Sequence, residues 1–313
     1  MATNELCTRL TEAHSKSLLN NHDTFLFDCD GVLWNFPEIF PGAVELLNYL
    51  TEQGKELFFV TNNSTKTQDD YAKRFNEIGY KAKPEQIICT AWLTAQHLKS
   101  INFKGRCYVL GMQSMVHELG REGFEICGGI GPDPLASDAT AVKTDKLNLD
   151  PNVDCVISAL DLHISYIKIL KAATYLNRPN VLFLATNDDA SLPQSDEVVM
   201  PGAGTILASV ATASCRTPTI LGKPHAPMFD AIRLAFPEVD PKRTVMIGDR
   251  VETDIAFGNR QGATTLLVFS GATSETYLDS LKQGVEQQTK ERDLLPSYCV
   301  KDVGQFLNFL KSN

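Results

Sequence analysis

The segment Phe25-Leu26-Phe27-Asp28-Cys29-Asp30-Gly31 constrains this chain more than any other. Three apolar residues bounded by polar ones read as a short strand buried on both faces, as in a parallel sheet. Residues two apart in an extended backbone point to the same side, so Asp28 and Asp30 are expected to face one point. Gly31 permits a sharp turn out of the strand. Two carboxylates buried together are costly unless a cation or hydrogen-bond donors offset them. A fold that keeps this segment must bring positive charge to it.

Further unbroken apolar runs follow at Leu57-Phe58-Phe59-Val60, which ends in Thr61-Asn62-Asn63-Ser64, and at Ile87-Ile88-Cys89. Helical periodicity over residues 42–51, 69–78 and 91–98 alternates with them. That alternation predicts an α/β fold with a doubly wound, Rossmann-like parallel sheet. The pattern restarts near Phe103 with Cys107-Tyr108-Val109-Leu110, then a Gly/Pro/Asp-rich loop over 128–152. Strands near 153–157 and 181–184 flank a helix carrying Ile164, Ile167, Leu170 and Ala173, and Pro201-Gly202-Ala203-Gly204 opens another helix. Past Pro218, apolar runs ending at Lys223, Asp249 and Ser270 suggest that the first architecture resumes. The expected organisation is a core domain from residues 1–102 and 218–313, interrupted by a smaller inserted α/β domain over 103–217.

At 313 residues, with 43% hydrophobic and 21% charged, the chain has the length and balance of a two-domain globular protein. A net charge of -9 leaves no basic excess for nonspecific binding to nucleic acid or an anionic membrane. No apolar run nears the ~20 residues that span a bilayer, and residues 1–23 lack the apolar core of a signal peptide. The eight cysteines include no Cys-x-x-Cys pair and no disulfide framework, which points to a reducing compartment, the cytoplasm or nucleus.

Four strand ends carry polar residues: Asp28/Asp30, Thr61/Asn62, Lys223 and Asp249. Ligands of open α/β sheets bind outside the carboxyl ends of the strands, so these ends are expected to converge. Three aspartates and one lysine there sum to −3 + 1 = −2. Oxygen ligands suit a hard cation such as Mg2+, which would neutralise the site and prepare it for a phosphate dianion. Thr61, Asn62 and Lys223 would then donate to phosphoryl oxygens. Asp28 would attack phosphorus to give an aspartyl-phosphate, and Asp30 would move the proton.

Asp28-Cys29-Asp30-Gly31-Val32-Leu33-Trp34, Thr61-Asn62-Asn63, Gly222-Lys223-Pro224 and Gly248-Asp249-Arg250 with Asp254 resemble, in order, the four motifs of the haloacid dehalogenase superfamily. Thr61-Asn62-Asn63-Ser64, Pro201-Gly202-Ala203-Gly204 and residues 248–254 further resemble its C2-capped branch, that of the phosphoglycolate, pyridoxal phosphate and 4-nitrophenyl phosphatases, the fungal 4-nitrophenylphosphatases above all. The resemblance implies Asp28 as nucleophile and Asp30 as acid/base. It implies Mg2+ held by Asp28, the Asp30 carbonyl and Asp249, with Asp254 behind them orienting Lys223 or a metal-bound water. Thr61, Asn62, Asn63 and Lys223 would contact phosphate. The inserted domain would be a cap, through which relatives commonly form homodimers. Its loop 187–193, with Asn187, Asp188 and Leu192, occupies the place of the substrate-specificity loop. Leu192 stands where pyridoxal phosphatase relatives carry a substrate-contacting histidine, which implies an apolar, less selective lid.

The expected activity is hydrolysis of small phosphomonoesters: aryl phosphates such as 4-nitrophenyl phosphate and, physiologically, 2-phosphoglycolate or a similar metabolite. A phosphotransferase or mutase would use the same pocket with an alcohol in place of water, and a phosphoacceptor signalling domain would also form an aspartyl-phosphate. Gly202-x-Gly204 does not complete a dinucleotide fingerprint, because Leu207 holds the third glycine position. Trp34 and Phe36 read as packing residues.

Overall fold

The computed structural model describes residues 7–35, 37–135, 147–192 and 198–312, so Phe36 and Pro193 lie outside the described residues. The chain forms two compact units: one from residues 1–61, 71–88 and 223–313, the other from residues 62–70 and 89–222.

The first unit is built on a seven-stranded sheet. Its order is Thr8–Arg9, Tyr298–Val300, Thr264–Val268, Thr244–Gly248, Thr24–Phe27, Glu56–Thr61 and Ile87–Cys89, the last residue of which begins the second unit. Pairing from Thr8–Arg9 across to Glu56–Thr61 is parallel throughout. Phe25, Leu26 and Phe27 are fully buried, which explains why this strand reads as an unbroken apolar run. Each such phenylalanine contributes roughly 1.5–3 kcal/mol by leaving water. Helices Ala43–Glu52 and Gln68–Glu77 follow the first two large strands, within a residue or two of the periodicity that announces them.

The second unit carries a five-stranded sheet in the order Thr219–Ile220, Leu182–Ala185, Val153–Ser158, Arg106–Leu110 and Glu125–Ile126, again parallel. Helices Tyr166–Leu176 and Ala203–Ser214 share its core, where Tyr108, Val156, Phe183 and Val210 pack together. Ile164 precedes the helix rather than lying on it, since Ser165 is the N-cap.

One strand is corrected. Thr219–Ile220 was expected to end a strand of the main sheet at Lys223, yet it pairs with Leu184 and Ala185 of the second unit. Leu221 and Gly222 continue that pairing by donating to the carbonyls of Ala185 and Thr186 at 2.9 Å each. Lys223 is the first residue of the returning core. None of the eight cysteines, all among the described residues, forms a disulfide. Among the described residues, no helix is long and apolar enough to cross a membrane.

Candidate active site

Thr24–Phe27 lies at the switch point of its sheet: the chain proceeds to Glu56–Thr61 on one side, and Thr244–Gly248 arrives later on the other. Register places Phe27 level with both Phe59 and Ile247, so Thr61 and Asp249 leave the sheet at the same edge as Asp28. Asp28 prolongs the strand by donating its N–H to the Ile247 carbonyl at 2.9 Å. Asp28 and Asp30 are each partly exposed and Cys29 between them is sealed, so the two carboxylates share a side. Gly31 then turns with φ +85°, where a Cβ would lie 2.4 Å from Asp249 Oδ2. Only glycine fits there.

The positive charge that the opening segment demands is Lys223. Its side chain is 2% exposed. Its Nζ donates to Asp28 Oδ1 at 2.8 Å, Asp254 Oδ1 at 2.7 Å and the Val60 carbonyl at 2.7 Å. All three ammonium protons are thereby used. Asp254, wholly buried, accepts on its other oxygen from the N–H groups of Asp249 and Arg250, both at 3.1 Å. It reaches them because Val251–Ile255 forms a wide π turn, and because Gly248 has no Cβ, which would stand 2.1 Å from that of Asp254. Asp249 Oδ2 accepts from Ala272 N at 2.6 Å.

These surroundings set the protonation tendencies. Burial pushes Asp28 well above the usual carboxylate range, Lys223 pulls it back, and Asp254 and Asp249 push it up again. Burial, with Asp254 adding repulsion, raises Asp249 to about 7. Burial opposes the charge on Lys223, but Asp254 and Asp28 outweigh it and hold the ammonium above the lysine range. Burial also raises Asp30, which the Trp34 indole moderates.

Asp28, Asp249 and Asp254 offer carboxylate oxygens within 4.8 Å of one another. This oxygen-only set suits a hard divalent cation. The Asp30 side chain is outside that group and turns to Trp34, whose Nε1 donates to Asp30 Oδ1 at 3.0 Å. Thr61, 3% exposed, ends the Glu56–Thr61 strand in the same unit. Asn62 and Asn63 belong to the second unit. There Asn62 donates to Asp189 Oδ2 at 3.1 Å, and its carbonyl accepts from Asn187 Nδ2 at 2.8 Å and Thr90 Oγ1 at 2.8 Å. Asn63 Oδ1 accepts from Thr65 N and Oγ1 at 2.8 and 2.7 Å. Leu192 donates its N–H to the Met200 carbonyl at 3.0 Å, and Gly204 caps the Asp189 carbonyl next to Asp188.

Sequence reasoning missed one side chain here. Trp34 does pack, 3% exposed and 5.0 Å from Phe75 between ring centroids, but it also holds Asp30. A buried indole N–H needs an acceptor, and that requirement was the available signal. The Val60 carbonyl and Ala272 N–H were also missed. Being backbone groups, they carry no residue-type signature.

Comparison with known proteins decides the family. The haloacid dehalogenase-like hydrolase model matches residues 25–125, and a second HAD-hydrolase-like model matches residues 220–304. Human glycerol-3-phosphate phosphatase is 35% identical over 317 residues, spanning 97% of this chain and 96% of that protein. The chain belongs to the haloacid dehalogenase-like hydrolases. Human chronophin is 36% identical over 315 residues, covering 97% of this chain and 99% of its own. A 4-nitrophenylphosphatase of Thermotoga maritima superposes with a TM-score of 0.77 at 26% identity, over 94% of this chain and 99% of that one. A Caenorhabditis elegans protein named for NipSnap is 38% identical over 287 residues, and there this chain spans 54% of the relative's length. The family and the α/β core expected from the motifs are thus met, and this member is a phosphoric monoester hydrolase.

Proposed function

We propose that this haloacid dehalogenase-like hydrolase cleaves small phosphomonoesters through a phosphoryl group carried on Asp28, with Mg2+ as its metal. The observation that carries the reading is the inequality of the three clustered carboxylates. Asp28 keeps 15% of its side chain exposed, while Asp254 has none and Asp249 is 4% exposed as a residue. Asp28 Oδ1 is fixed by Lys223, which leaves the other oxygen as the attacking atom.

In this reading Asp28 attacks phosphorus and forms an acyl-phosphate as the ester oxygen departs. Asp30 gives that oxygen its proton, then takes one from the water that attacks the same phosphorus, freeing Asp28 and inorganic phosphate. Lys223 holds the Asp28 carboxylate in line, and Thr61 donates to a phosphoryl oxygen. The cation would be held by Asp28, the Asp30 carbonyl and Asp249. Asp254 is left out of the ligand set because its oxygens already accept from Lys223 and two N–H groups. When bound, the metal supplies charge neutralisation around the transferring phosphoryl group.

The proposal extends to Asn62, Asn63, Asn187, Asp188 and Leu192 as residues that read the substrate, with residues 103–217 acting as a cap. The same reading includes a homodimer joined through that cap, which light scattering on the eluted protein tests directly. For substrate, 4-nitrophenyl phosphate is the artificial ester. Glycerol 3-phosphate, which names the human relative, stands beside 2-phosphoglycolate as the physiological candidate. A panel of phosphorylated metabolites ranked by kcat/KM tests this, because discrimination is a ratio of those constants. Preferential transfer to an added alcohol over water would replace the hydrolase reading with the phosphotransferase one.

A further inference from the structure

Among the described residues two lysines are buried almost completely, one in each unit: Lys223 at 2% and Lys168 at 1% exposure. They are not equally provided for. Lys223 has three acceptors for its three protons. Lys168 Nζ has one acceptor among the described residues, Asp161 Oδ2. Two ammonium protons are left over in a place where unmet donors are expensive.

Beside it lies a cavity of about 220 Å³, lined by Lys168, Lys171, Tyr108, Tyr175, Asp133 and Gly129. Tyr108 is 3% exposed, and its hydroxyl has no hydrogen-bond partner among the described residues. Burial holds that hydroxyl protonated, so it is available as a donor. Lys171 Nζ donates to Asp133 Oδ2 at 2.7 Å, which leaves it two further protons. The acceptors are better served than the donors. Asp161 Oδ1 takes the His163 N–H at 2.8 Å, and Asp133 Oδ1 takes the Leu135 N–H at 2.9 Å. Every carboxylate oxygen of the two ion pairs therefore already accepts a bond, while five donors on Lys168, Lys171 and Tyr108 give none among the described residues.

We propose that this cavity in the second unit binds a small monocarboxylate, distinct from the Asp28 site. A surplus of donors calls for an acceptor-rich guest. The ion pairs are already neutral, two lysines against two aspartates, so one added negative charge can be shared among five donors, whereas a dianion would leave −2 in a buried place. At about 30 Å³ per water-sized group, the volume accommodates roughly seven such groups, the size of a short hydroxy- or oxo-acid.

The test uses sodium lactate on the full chain, with inorganic phosphate, lactamide and sodium chloride at matched ionic strength as the other arms. The readouts are the amide resonances of Gly128, Gly129 and Gly131, and the thermal midpoint. Lactate is expected to shift those amides saturably and to raise the midpoint. The uncharged lactamide and phosphate bind at least about tenfold more weakly. Tyr108→Phe is the decisive variant, since it removes only the unpartnered hydroxyl. It should keep basal turnover and unfold at the same or higher urea concentration than the parent. It should bind lactate about tenfold more weakly, the loss expected for one hydrogen bond to a charged group. Asp28→Asn should bind lactate as the parent does, which separates this site from the catalytic one. The proposal is overturned if the three amides do not move with lactate up to about 100 mM, or if lactamide or phosphate binds as tightly as lactate. It is also overturned if Tyr108→Phe binds lactate unchanged or lowers the urea midpoint, the latter showing that the hydroxyl already has a partner in the chain.

Discussion

Replacing Lys223 by methionine removes the one cation that links Asp28, Asp254 and the Val60 carbonyl, at distances of 2.7–2.8 Å. Methionine retains most of the volume, so packing changes little and electrostatics dominate. Asp254, with no exposed side-chain surface, would keep its two N–H donors on Oδ2 but lose the ammonium on Oδ1. Breaking a buried ion pair at one end costs about 3–5 kcal/mol, a fifth or more of a typical folding free energy of roughly 5–15 kcal/mol. Urea unfolding in EDTA at pH 7, followed by circular dichroism, reads the loss. The sign with pH follows from Asp28, which burial already raises, which Asp254 and Asp249 raise further, and which Lys223 pulls down. Without that pull the folded-state pKa climbs further above the unfolded value. The folded variant then binds a proton that the unfolded chain releases, so the Asp28 contribution is fully present below about pH 4 and is lost as pH rises. The deficit relative to the parent should therefore shrink on going from pH 7 towards pH 4. Adding Asp254→Asn removes the stranded charge and should restore at least about 1 kcal/mol. A loss under about 1 kcal/mol, or a second substitution that makes matters worse, would refute the argument that Lys223 offsets buried charge.

Asp28→Asn should abolish release of inorganic phosphate while the circular dichroism spectrum and urea midpoint stay near the parent's. EDTA should stop turnover and Mg2+ restore it, with undiminished activity after dialysis against EDTA counting against the metal. Gly31→Ala meets both the positive φ and the Asp249 carboxylate, so it should lower stability by about 1–3 kcal/mol and turnover further, as read by urea melts and initial rates. His22 is held neutral by burial, and its ring nitrogens bond the Leu18 carbonyl at 3.0 Å and Thr264 Oγ1 at 2.9 Å. Its folded pKa lies below the unfolded one, so its contribution is present above about pH 6.5 and lost as pH falls. The parent should therefore lose more stability than His22→Gln between pH 7 and pH 5.

How much of this was legible in the sequence depended on whether a residue's neighbours in the chain or its neighbours in space decide its role. The strand Thr24–Phe27 was legible because burial on both faces demands an unbroken apolar run, and Asp28 and Asp30 because the two-residue period sends both to one side. Lys223 was legible as a partner because an apolar run ends on it and the charge balance of the strand ends requires a cation. Its strand was misplaced, since Thr219–Ile220 is too short for its composition to say which sheet it joins. The edge strand Thr8–Arg9 and its partner Tyr298–Val300 come from opposite ends of the chain, and two or three residues show no periodicity. Trp34 was read as packing because four residues of loop hide the turn, closed by the Gly31 N–H on the Trp34 carbonyl at 2.8 Å, that folds its indole over Asp30.

The same distinction explains why three clustered aspartates, chemically identical, sit in different surroundings and are proposed for different work. Asp254 is saturated: its oxygens answer Lys223 and two N–H groups, so it can neither attack nor readily take up a proton without breaking three bonds. Asp249 has one oxygen tied to Ala272 N and stands against Gly31, where it holds position beside the motif strand. Asp28 alone combines a fixed oxygen with exposed surface. The Asp28 and Asp249 side chains each accept a single bond, so in the proposed reaction exposure rather than bond count singles out Asp28. A variant that thins the donor shell of Asp254, such as Arg250→Pro, which removes one of the two N–H donors on Oδ2, should perturb Lys223 and through it Asp28. Its kcat should fall more than its KM rises, and a KM effect alone would show that the donor shell of Asp254 does not orient the attacking group.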